Sequence, residues 1–253
     1  MSDFPSLLRL WRTKRRYSQL ALAADAGISA RHLSFLETGR ARPSRAMVLR
    51  LAEVLQMPRG DTNGALAAAG FSDAFSQHRL DSAALAPARA ALDRLMQRHM
   101  PYPAVMMDRD WRIVDLNPAA ARLYGPAGLG AGDSILDVLG LPGGPQAMIE
   151  NWPEVGAHLL TRLRAESRAG GGIALLDRAA ARLAADPDVA RQSGTGQTPP
   201  LIPTIYRLGE RRLSLFSTFV QIGGGEDITL TELRLEMIFP MDEATGLFLE
   251  TLA

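Results

Sequence analysis

Cysteine is absent from the 253 residues of the chain. Disulfide bonds, a thiolate nucleophile, cysteine-ligated zinc, iron–sulfur clusters and flavin–cysteine photochemistry are therefore excluded. Long apolar runs are absent too, and none reaches the roughly 18 residues that a membrane span requires. The first residues carry their charges after the apolar positions and show no small-residue cleavage site, so we expect no secretory signal. These absences favour a cytoplasmic protein without a membrane-bound part.

Sequence patterns of the common enzyme classes are also missing. The chain has no Walker loop, no Gly-x-Gly-x-x-Gly segment after a strand and no His-Glu-x-x-His helix. No nucleophile–base pattern is present, so we expect no catalytic residue. The histidines are few and scattered, which argues against a metal site; they are His32, His78, His99 and His158. A haem ligand at His99 or His158 remains an alternative, and otherwise no cofactor or metal is expected.

Charge is distributed unevenly although the net charge is only +1. Residues 1–64 contain eleven basic and five acidic residues, whereas the remainder contains seventeen basic and twenty-two acidic residues. A basic N-terminal part on an acidic body is typical of a phosphate-binding module attached to a part that does not bind phosphate. A solvated basic surface without a partner is the competing interpretation.

The N-terminal part reads as five short helices packed closely together. Serines precede three of the helices as N-caps, namely Ser18, Ser29 and Ser44, and glycines end two of them. The fourth helix repeats apolar residues at helical spacing, and a fifth is expected to begin at Asp61. We therefore expect an all-α domain over residues 1–72, followed by a linker over residues 73–84.

Residues 85–253 have a mixed pattern of helices and strands. A helix is expected over 85–100, and strands over 104–108, 112–116, 204–208, 213–222 and 229–239. Asp242 and Glu243 are interpreted as the start of a helix rather than as an acid–base pair. Strands at both ends and helices between them predict an α+β domain, in which an antiparallel sheet has a helical cover on one side.

The segment from Ser18 to Ser44 carries the strongest signal. Two capped helices are joined by a glycine-containing turn, with small residues on the inner face of the first helix, as in a helix-turn-helix. The stretches SQLALAADAGIS, RHLSFLETGRARPS and LRLAEVL resemble the XRE/Cro-repressor family of helix-turn-helix proteins. The resemblance covers about residues 5–70 and implies a double-stranded DNA operator as partner. It also implies a structural ion pair between Arg12 and Glu37.

The same resemblance assigns the DNA contacts. Gln19 stands where the family places a glutamine against a phosphate, at a helix N-terminus that favours an anion. Arg31 is the expected base reader, because its guanidinium matches guanine O6 and N7. The remaining expected contacts are those of the second helix and of the arginines that follow it: Ala30, His32, Ser34, Phe35, Arg40, Arg42 and Arg45. His32 as a surface residue and Phe35 as a core residue are open alternatives.

A second resemblance covers roughly residues 85–253. The stretches PYPAVMMD, DRDWRIVDLNPAAARLYG and LSLFSTFVQIGGGEDITLTELRLEMIFPMDEAT, with the Asn151–Trp152 pair, resemble the MmyB-like regulators. Their C-terminal domain is a PAS-type ligand-binding domain, and the family implies a fatty-acyl ligand. A cavity between the sheet and its cover would suit such a small apolar ligand. The expected pocket residues are Met106, Asn117, Leu136, Leu139, Met148, Trp152, Leu160, Phe216 and Phe219. For each apolar one, a place in the core without ligand contact is the alternative.

Taken together, these patterns predict a ligand-responsive DNA-binding regulator of the bacterial nucleoid. One recognition helix reads too few base pairs for specificity in a genome, so we expect a homodimer whose contact lies in the C-terminal domain. A regulator whose C-terminal domain only dimerises, or binds a protein partner, is the main alternative. An enzyme fused to a helix-turn-helix is a further one.

Overall fold

The computed structural model describes residues 3–141, 143–193, 201–223 and 226–251. The chain divides into two compact units. The first unit comprises Met1–Gln77 together with Ser167–Ile173 and Glu226–Ile228. The second unit comprises His78–Glu166, Ala174–Gly225 and Thr229–Ala253. The two units differ in secondary structure, and each is described by itself.

Five helices form the N-terminal part of the first unit. They are α1 (Phe4–Lys14), α2 (Gln19–Asp25), α3 (Ala30–Glu37), α4 (Arg45–Val54) and α5 (Arg59–Ala68). The side-chain oxygens of Ser18, Ser29 and Ser44 accept hydrogen bonds from the backbone N–H groups three residues on, which confirms the predicted caps. The fifth helix begins two residues before the predicted Asp61, with Pro58 at its N-cap position.

Leucines from α2 to α5 form the core of these helices. Leu22, Leu33, Leu36 and Leu66 are fully buried. The turn between α2 and α3 passes through Gly27, whose φ of +64° is a left-handed conformation that favours glycine. Small buried residues on α2 leave room for α3 to cross it closely, which is the helix-turn-helix arrangement that the sequence predicted.

The C-terminal part combines a sheet with many helices. Its helices are α6 (Ala86–Arg98), α7 (Pro118–Tyr124), α8 (Ile135–Val138), α9 (Trp152–Ala169), α10 (Ala174–Ala185), α11 (Pro187–Ser193), α12 (Ile228–Glu232) and α13 (Glu243–Thr251). Its strands are β1 (Ala104–Met107), β2 (Ile113–Leu116), β3 (Thr204–Leu208), β4 (Arg211–Val220) and β5 (Arg234–Pro240). Every pair of neighbouring strands is antiparallel, in the order β2-β1-β5-β4-β3. The predicted α+β fold class is therefore confirmed.

Strand register decides which side chains share a face of the sheet. Val105 lies opposite Glu236, and Met106 lies opposite Leu235. Because side chains alternate along a strand, Val105 and Glu236 belong to one face, and Met106 and Leu235 to the other. We call the face that carries Glu236 the inner face.

Helices cover both faces of the sheet, whereas the sequence analysis expected helices on one side. Leu92 and Met96 of α6 pack with Met106 on the face opposite the inner face. On the inner face, Val105 packs in a cluster with Ala120 of α7. The extra layer arises because β1 carries apolar residues on both faces, Val105 and Met107 on one and Ala104 and Met106 on the other, so neither face can stay exposed to water.

Two boundaries near the C-terminus also differ from the prediction. The expected strand over 229–239 is split into α12 and the shorter β5, and the expected strand over 213–222 is β4 at Arg211–Val220. A segment of five residues is too short for periodicity to separate a helical turn from a strand. Asp242 does cap the final helix, because its Oδ1 accepts a hydrogen bond from the backbone N–H of Thr245 at 2.7 Å. Among the described residues, none of the helices has the length and apolar content that crossing a membrane requires.

Candidate DNA-binding surface and ligand cavity

The second helix of the helix-turn-helix presents a mixed surface. Arg31 is exposed, whereas Ala30, His32, Ser34 and Phe35 are half-buried. The guanidinium carbon of Arg31 lies 5.3 Å from the centre of the Phe35 ring. A cation over an aromatic face is held without losing its charge or its edge donors. Phe35 is thus half-buried rather than a buried core residue, and its ring lies beside Arg31.

Three arginines follow this helix in the chain, up to the start of α4. Arg40, Arg42 and Arg45 are all exposed. Arg45 begins α4, and its Nη2 is 3.4 Å from the carbonyl oxygen of Asp73. Exposed guanidinium groups next to a recognition helix are suited to phosphate contacts. The four predicted arginines of this surface lie within residues 31–45 and are all exposed.

Gln19 occupies a different environment from the one that the resemblance implied. Its Nε2 donates to Oε2 of Glu37 at 2.6 Å. Arg12 donates to the same carboxylate from Nε at 2.5 Å and from Nη2 at 3.1 Å, so the expected Arg12–Glu37 ion pair is present. A phosphate at the start of α2 would have to compete with Glu37 for the amide nitrogen of Gln19.

Glu37 is buried and has several partners. Burial raises the pKa of this carboxyl group, but the hydrogen bonds from Arg12 and Gln19 and the nearby positive charges outweigh burial and lower it. The hydrogen bond to Glu37 raises the pKa of Arg12 in turn. This polar cluster is closed within the protein, which makes it structural.

A cavity of about 420 Å³ lies within the second unit, on the inner face of the sheet. This volume is within the range of about 300–1,000 Å³ that is typical of small-molecule sites. Helix α9 contributes side chains at helical spacing, β3 and β5 contribute alternate residues, and β4 contributes Phe216 in addition to the alternate residues Leu215, Ser217 and Phe219. The lining residues are Trp111, Tyr124, Leu129, Ile135, Leu139, Pro145, Ile149, Trp152, Val155, His158, Leu159, Arg162, Leu201, Ile202, Thr204, Tyr206, Leu215, Phe216, Ser217, Phe219, Glu236 and Ile238.

Four of the nine pocket residues expected from the sequence line this cavity. They are Leu139, Trp152, Phe216 and Phe219. Trp152 begins α9, and its Nε1 donates to Oδ2 of Asp186 at 2.9 Å, which fixes the indole ring. Phe219 is 40% exposed, so its ring lies where the cavity meets solvent.

The other five expected pocket residues do not line the cavity, which corrects their placement. Met106 is on the opposite face of the sheet, as its register shows. Leu136 and Leu160 are buried core residues, and Met148 is half-buried in a 3-10 turn, Pro145–Met148. Asn117 is the N-cap of α7. Its Oδ1 accepts from two backbone N–H groups, and its Nδ2 donates to two carbonyl oxygens.

Three aromatic lining residues were missed by the sequence analysis. Trp111 stands in the turn between β1 and β2 with a φ of +58°, which is rare for an aromatic residue. Asp108 holds this turn, because its Oδ1 accepts from the backbone N–H groups of Asp110 and Arg112. Tyr124 ends α7, and Tyr206 lies on β3. The alternation of side chains along β3 could have indicated that Tyr206 lines the cavity. The turn between β1 and β2 has no sequence pattern that indicates Trp111.

One corner of the cavity is cationic and aromatic. The guanidinium carbon of Arg162 is 3.8 Å from the ring centre of Phe219 and 4.6 Å from that of Trp111. Glu166 pairs with Nε of Arg162 at 2.8 Å and with Nη1 of Arg234 at 2.8 Å. Burial raises the pKa of Glu166, but its hydrogen bonds to both arginines outweigh burial and lower it. Arg162 is the one of these three charged groups that lines the cavity, so this corner presents a guanidinium group to a ligand.

Glu236 is the carboxyl group of the cavity wall. It lies on the middle strand of the sheet, opposite Phe219 on β4. Burial raises the pKa of Glu236, although a hydrogen bond from Ser217 and the charge of Arg162 act in the other direction. Burial, and then the charge of Glu236, raises the pKa of Tyr206 as well. A half-buried carboxyl group with a raised pKa, set among apolar side chains in a cavity, is a typical feature of a functional site.

Among the described residues, the histidines are not grouped as metal ligands would be. His99 is buried, and its Nε2 lies 2.8 Å from the carbonyl oxygen of Ile238, which engages the nitrogen that a haem iron would need. His158 lines the cavity, and its pKa is lowered by burial and by the charge of Arg162. Within the part of the chain that the structure describes, no three His, Cys, Asp or Glu side chains are grouped for a metal ion.

Two family models match separate parts of the chain. Residues 88–252 match the family model described as the MmyB-like transcription regulator ligand binding domain, and residues 4–63 match a helix-turn-helix domain. No curated protein matches the chain. A solved structure, described as that of an RNA-binding light-oxygen-voltage receptor, aligns with all of this chain at 15% identity and a TM-score of 0.28. The chain covers 62% of that structure's length.

Proposed function

The chain belongs to the helix-turn-helix transcription regulators with an MmyB-like ligand-binding domain, and we propose that it is a sequence-specific DNA-binding regulator whose C-terminal domain senses a small, largely apolar ligand. In this proposal α3 enters the major groove of an operator in the bacterial nucleoid. The ligand in the cavity then changes the affinity for that operator. Such regulation requires that the ligand binds the DNA-competent and DNA-incompetent states with different affinity.

The observation that carries the proposal is the cavity on the inner face of the sheet. A domain that only dimerised would be expected to fill this space with side chains, as the opposite face does with Met96 and Met106. Here about 420 Å³ remain between the sheet and α9, with apolar walls and a few polar groups. This combination of apolar walls and few polar groups is typical of ligand pockets.

A fatty-acyl compound is the ligand class that the family resemblance suggests. Each buried methylene group contributes about 0.8 kcal/mol, so a medium chain could bind at micromolar concentration after the cost of association. Native mass spectrometry of the purified chain tests whether any small molecule co-purifies. A bound species that is lost on unfolding supports ligand sensing. Absence of any bound species, together with no thermal stabilisation by acyl chains or acyl-CoAs, favours the alternative of a C-terminal domain that only dimerises or binds a protein.

DNA binding by the first unit is tested by salt dependence. Arg31, Arg40, Arg42 and Arg45 offer exposed positive charge, and each neutralised phosphate should add a slope of about −0.9 to log K against log salt. We expect a steep decrease in affinity for a duplex selected from a random library. A nearly flat titration from low to physiological salt would contradict the proposed DNA contacts.

We also propose that the active form is a homodimer. Two recognition helices about 34–36 Å apart would read two half-sites of an operator, which gives the specificity that one helix lacks. Sedimentation of the full chain at micromolar concentration should show a dimer, and the selected operators should be palindromic. A monomer that binds a single undivided site would contradict this part of the proposal.

A further inference from the structure

Aromatic side chains form part of the cavity wall. Six lining residues are aromatic: Trp111, Trp152, Tyr124, Tyr206, Phe216 and Phe219. The register places Phe216 opposite Phe239, on the face of the sheet away from Glu236. The other five come from the β1–β2 turn, α7, α9, β3 and β4, so their rings converge from separate parts of the fold. Flexible methionines suit a long unbranched chain, but Met106 and Met148 lie elsewhere. Rigid rings instead present flat faces, which pair best with another ring.

The cationic corner shows that this wall already accepts a planar group. The guanidinium of Arg162 is planar and lies against the rings of both Phe219 and Trp111. Its Nε is fixed by Glu166, which is itself held by Arg234. The corner is therefore a preorganised aromatic–cation surface, and the face of an aromatic ligand is attracted to such a cation.

Glu236 gives the wall one polar anchor. Its neighbours across the strands, Val105 and Phe219, are apolar, whereas Ser217 donates a hydrogen bond to it and the positive charge of Arg162 acts on it. A hydroxyl group can donate to a carboxylate and accept from a carboxylic acid, so it fits Glu236 in either protonation state. A ligand carboxylate placed at Glu236 would bring two carboxyl groups side by side, which disfavours two charges at that position.

We infer that the cavity takes a planar aromatic compound of two or three rings with a hydroxyl group directed at Glu236, in preference to an unbranched acyl chain. This inference rests on the proposed function, since it names the ligand class of the same cavity. The rings of the ligand lie among the aromatic side chains and against Arg162. The hydroxyl group adds a second hydrogen bond to Glu236, beside the one from Ser217.

The probes that test the ligand class are 2-naphthol, 2-methylnaphthalene, 1-decanol and decanoate. Two of the three tryptophans, Trp111 and Trp152, line the cavity, so intrinsic fluorescence of the full chain reports occupancy directly. Replacing Trp152 by Phe should remove part of the response and thereby assign it to the cavity. We expect 2-naphthol to bind at least tenfold more tightly than the other three probes. Equal or tighter binding of 1-decanol or decanoate would overturn the inferred ligand class.

Variants separate the polar anchor from the aromatic wall. Glu236→Gln should keep 2-naphthol affinity within threefold, whereas Glu236→Leu should abolish the preference for 2-naphthol over 2-methylnaphthalene. Glu232→Leu is the matched control, because Glu232 pairs with Arg109 and does not line the cavity. Phe219→Leu changes a half-exposed ring, so the fold should tolerate it, and it should weaken 2-naphthol without weakening 1-decanol. A preference that survives Glu236→Leu would overturn the role of Glu236.

The outcomes also distinguish this inference from the proposed function. If 1-decanol or decanoate binds best and alters operator affinity, ligand sensing stands and the aromatic class is wrong. If no probe binds and no small molecule co-purifies with the chain, both ligand sensing and the aromatic ligand class are wrong. If 2-naphthol binds best in the wild type and loses its advantage in Glu236→Leu and Phe219→Leu, the inferred class and its anchor are supported.

Discussion

Two interior carboxyl groups, Glu37 in the first unit and Glu236 in the second, have opposite environments. Glu37 is 2% exposed and bonded to Arg12 and Gln19, and these partners lower its pKa. Glu236 faces a cavity, has Ser217 as its hydrogen-bond partner, and has a raised pKa. The difference teaches that a buried charge alone does not identify a functional site. A closed set of partners marks a structural group, and an open wall marks a group available to a ligand.

Removing a partner of the closed group should have the largest effect. Arg12→Ala leaves the buried carboxylate of Glu37 without its ion pair, which should cost about 3–5 kcal/mol of unfolding free energy. Chemical denaturation followed by circular dichroism measures this loss. Arg191→Ala, in the exposed pair with Asp188, is the control and should cost about 1 kcal/mol or less. If the two variants lost similar amounts, Glu37 would not be the closed structural group that we describe.

Asn117 tests whether a closed set of hydrogen-bond partners, rather than the unit to which a residue belongs, makes a polar residue structural. This residue belongs to the second unit but makes four hydrogen bonds to backbone groups. Asn117→Asp loses the two donations from Nδ2, which should reduce stability by about 1–3 kcal/mol. The affinity of the folded variant for 2-naphthol should stay within threefold of the wild type. A large change in ligand selectivity at unchanged stability would show that Asn117 contributes to ligand binding in the cavity.

In the first unit, Arg31 is an exposed group that we expect to be available to DNA. Arg31→Ala should cost about 1–3 kcal/mol of operator binding and relax the preference at one base pair. Arg42→Ala should weaken binding to all sequences about equally, because a phosphate contact carries no base information. Competition binding against a set of single-base operator variants separates these outcomes. A uniform loss in Arg31→Ala would show that this residue contacts phosphate only.

The pH dependence of stability should have opposite signs for the two carboxyl groups. The lowered pKa of Glu37 stabilises the fold above its ordinary value of 4.5, and this contribution is lost as the pH falls through the folded pKa. The raised pKa of Glu236 gives a contribution that is present below 4.5 and lost as the pH rises through the folded pKa. Glu37→Gln should therefore flatten the acid side of the stability curve, and Glu236→Gln should flatten the side toward neutral pH. If both substitutions changed the pH dependence of stability with the same sign, the opposite environments of Glu37 and Glu236 would be contradicted.

The sequence was informative where structure is local. Ser18, Ser29 and Ser44 each cap the helix that follows them, and such caps depend on a few neighbouring residues. The Arg12–Glu37 pair joins residues 25 positions apart, and it was anticipated through the family spacing. The fold class of both domains followed from these features together with the order of strands and helices.

The cavity wall was less predictable because strand register decides it. Met106 is apolar and adjacent to inner-face residues in sequence, yet one step along β1 turns it to the other face. Trp111 lies in the cavity wall because it stands in a left-handed turn that Asp108 holds. The hydrophobic periodicity of the sequence does not predict such a turn. Glu236 reads in the sequence as one polar residue of a strand, and only the register places it opposite Phe219 in the cavity.

The central claim is that occupancy of the cavity controls DNA binding. The most direct measurement is the operator affinity of the full chain with and without 2-naphthol, compared with the same pair of values for Val155→Trp. Val155 lines the cavity on α9, so the larger side chain should fill it and leave the DNA surface unchanged. We predict that the ligand shifts the affinity of the wild type at least fivefold, in either direction, and that Val155→Trp does not respond. An affinity that stays the same in the wild type at saturating ligand would contradict the account.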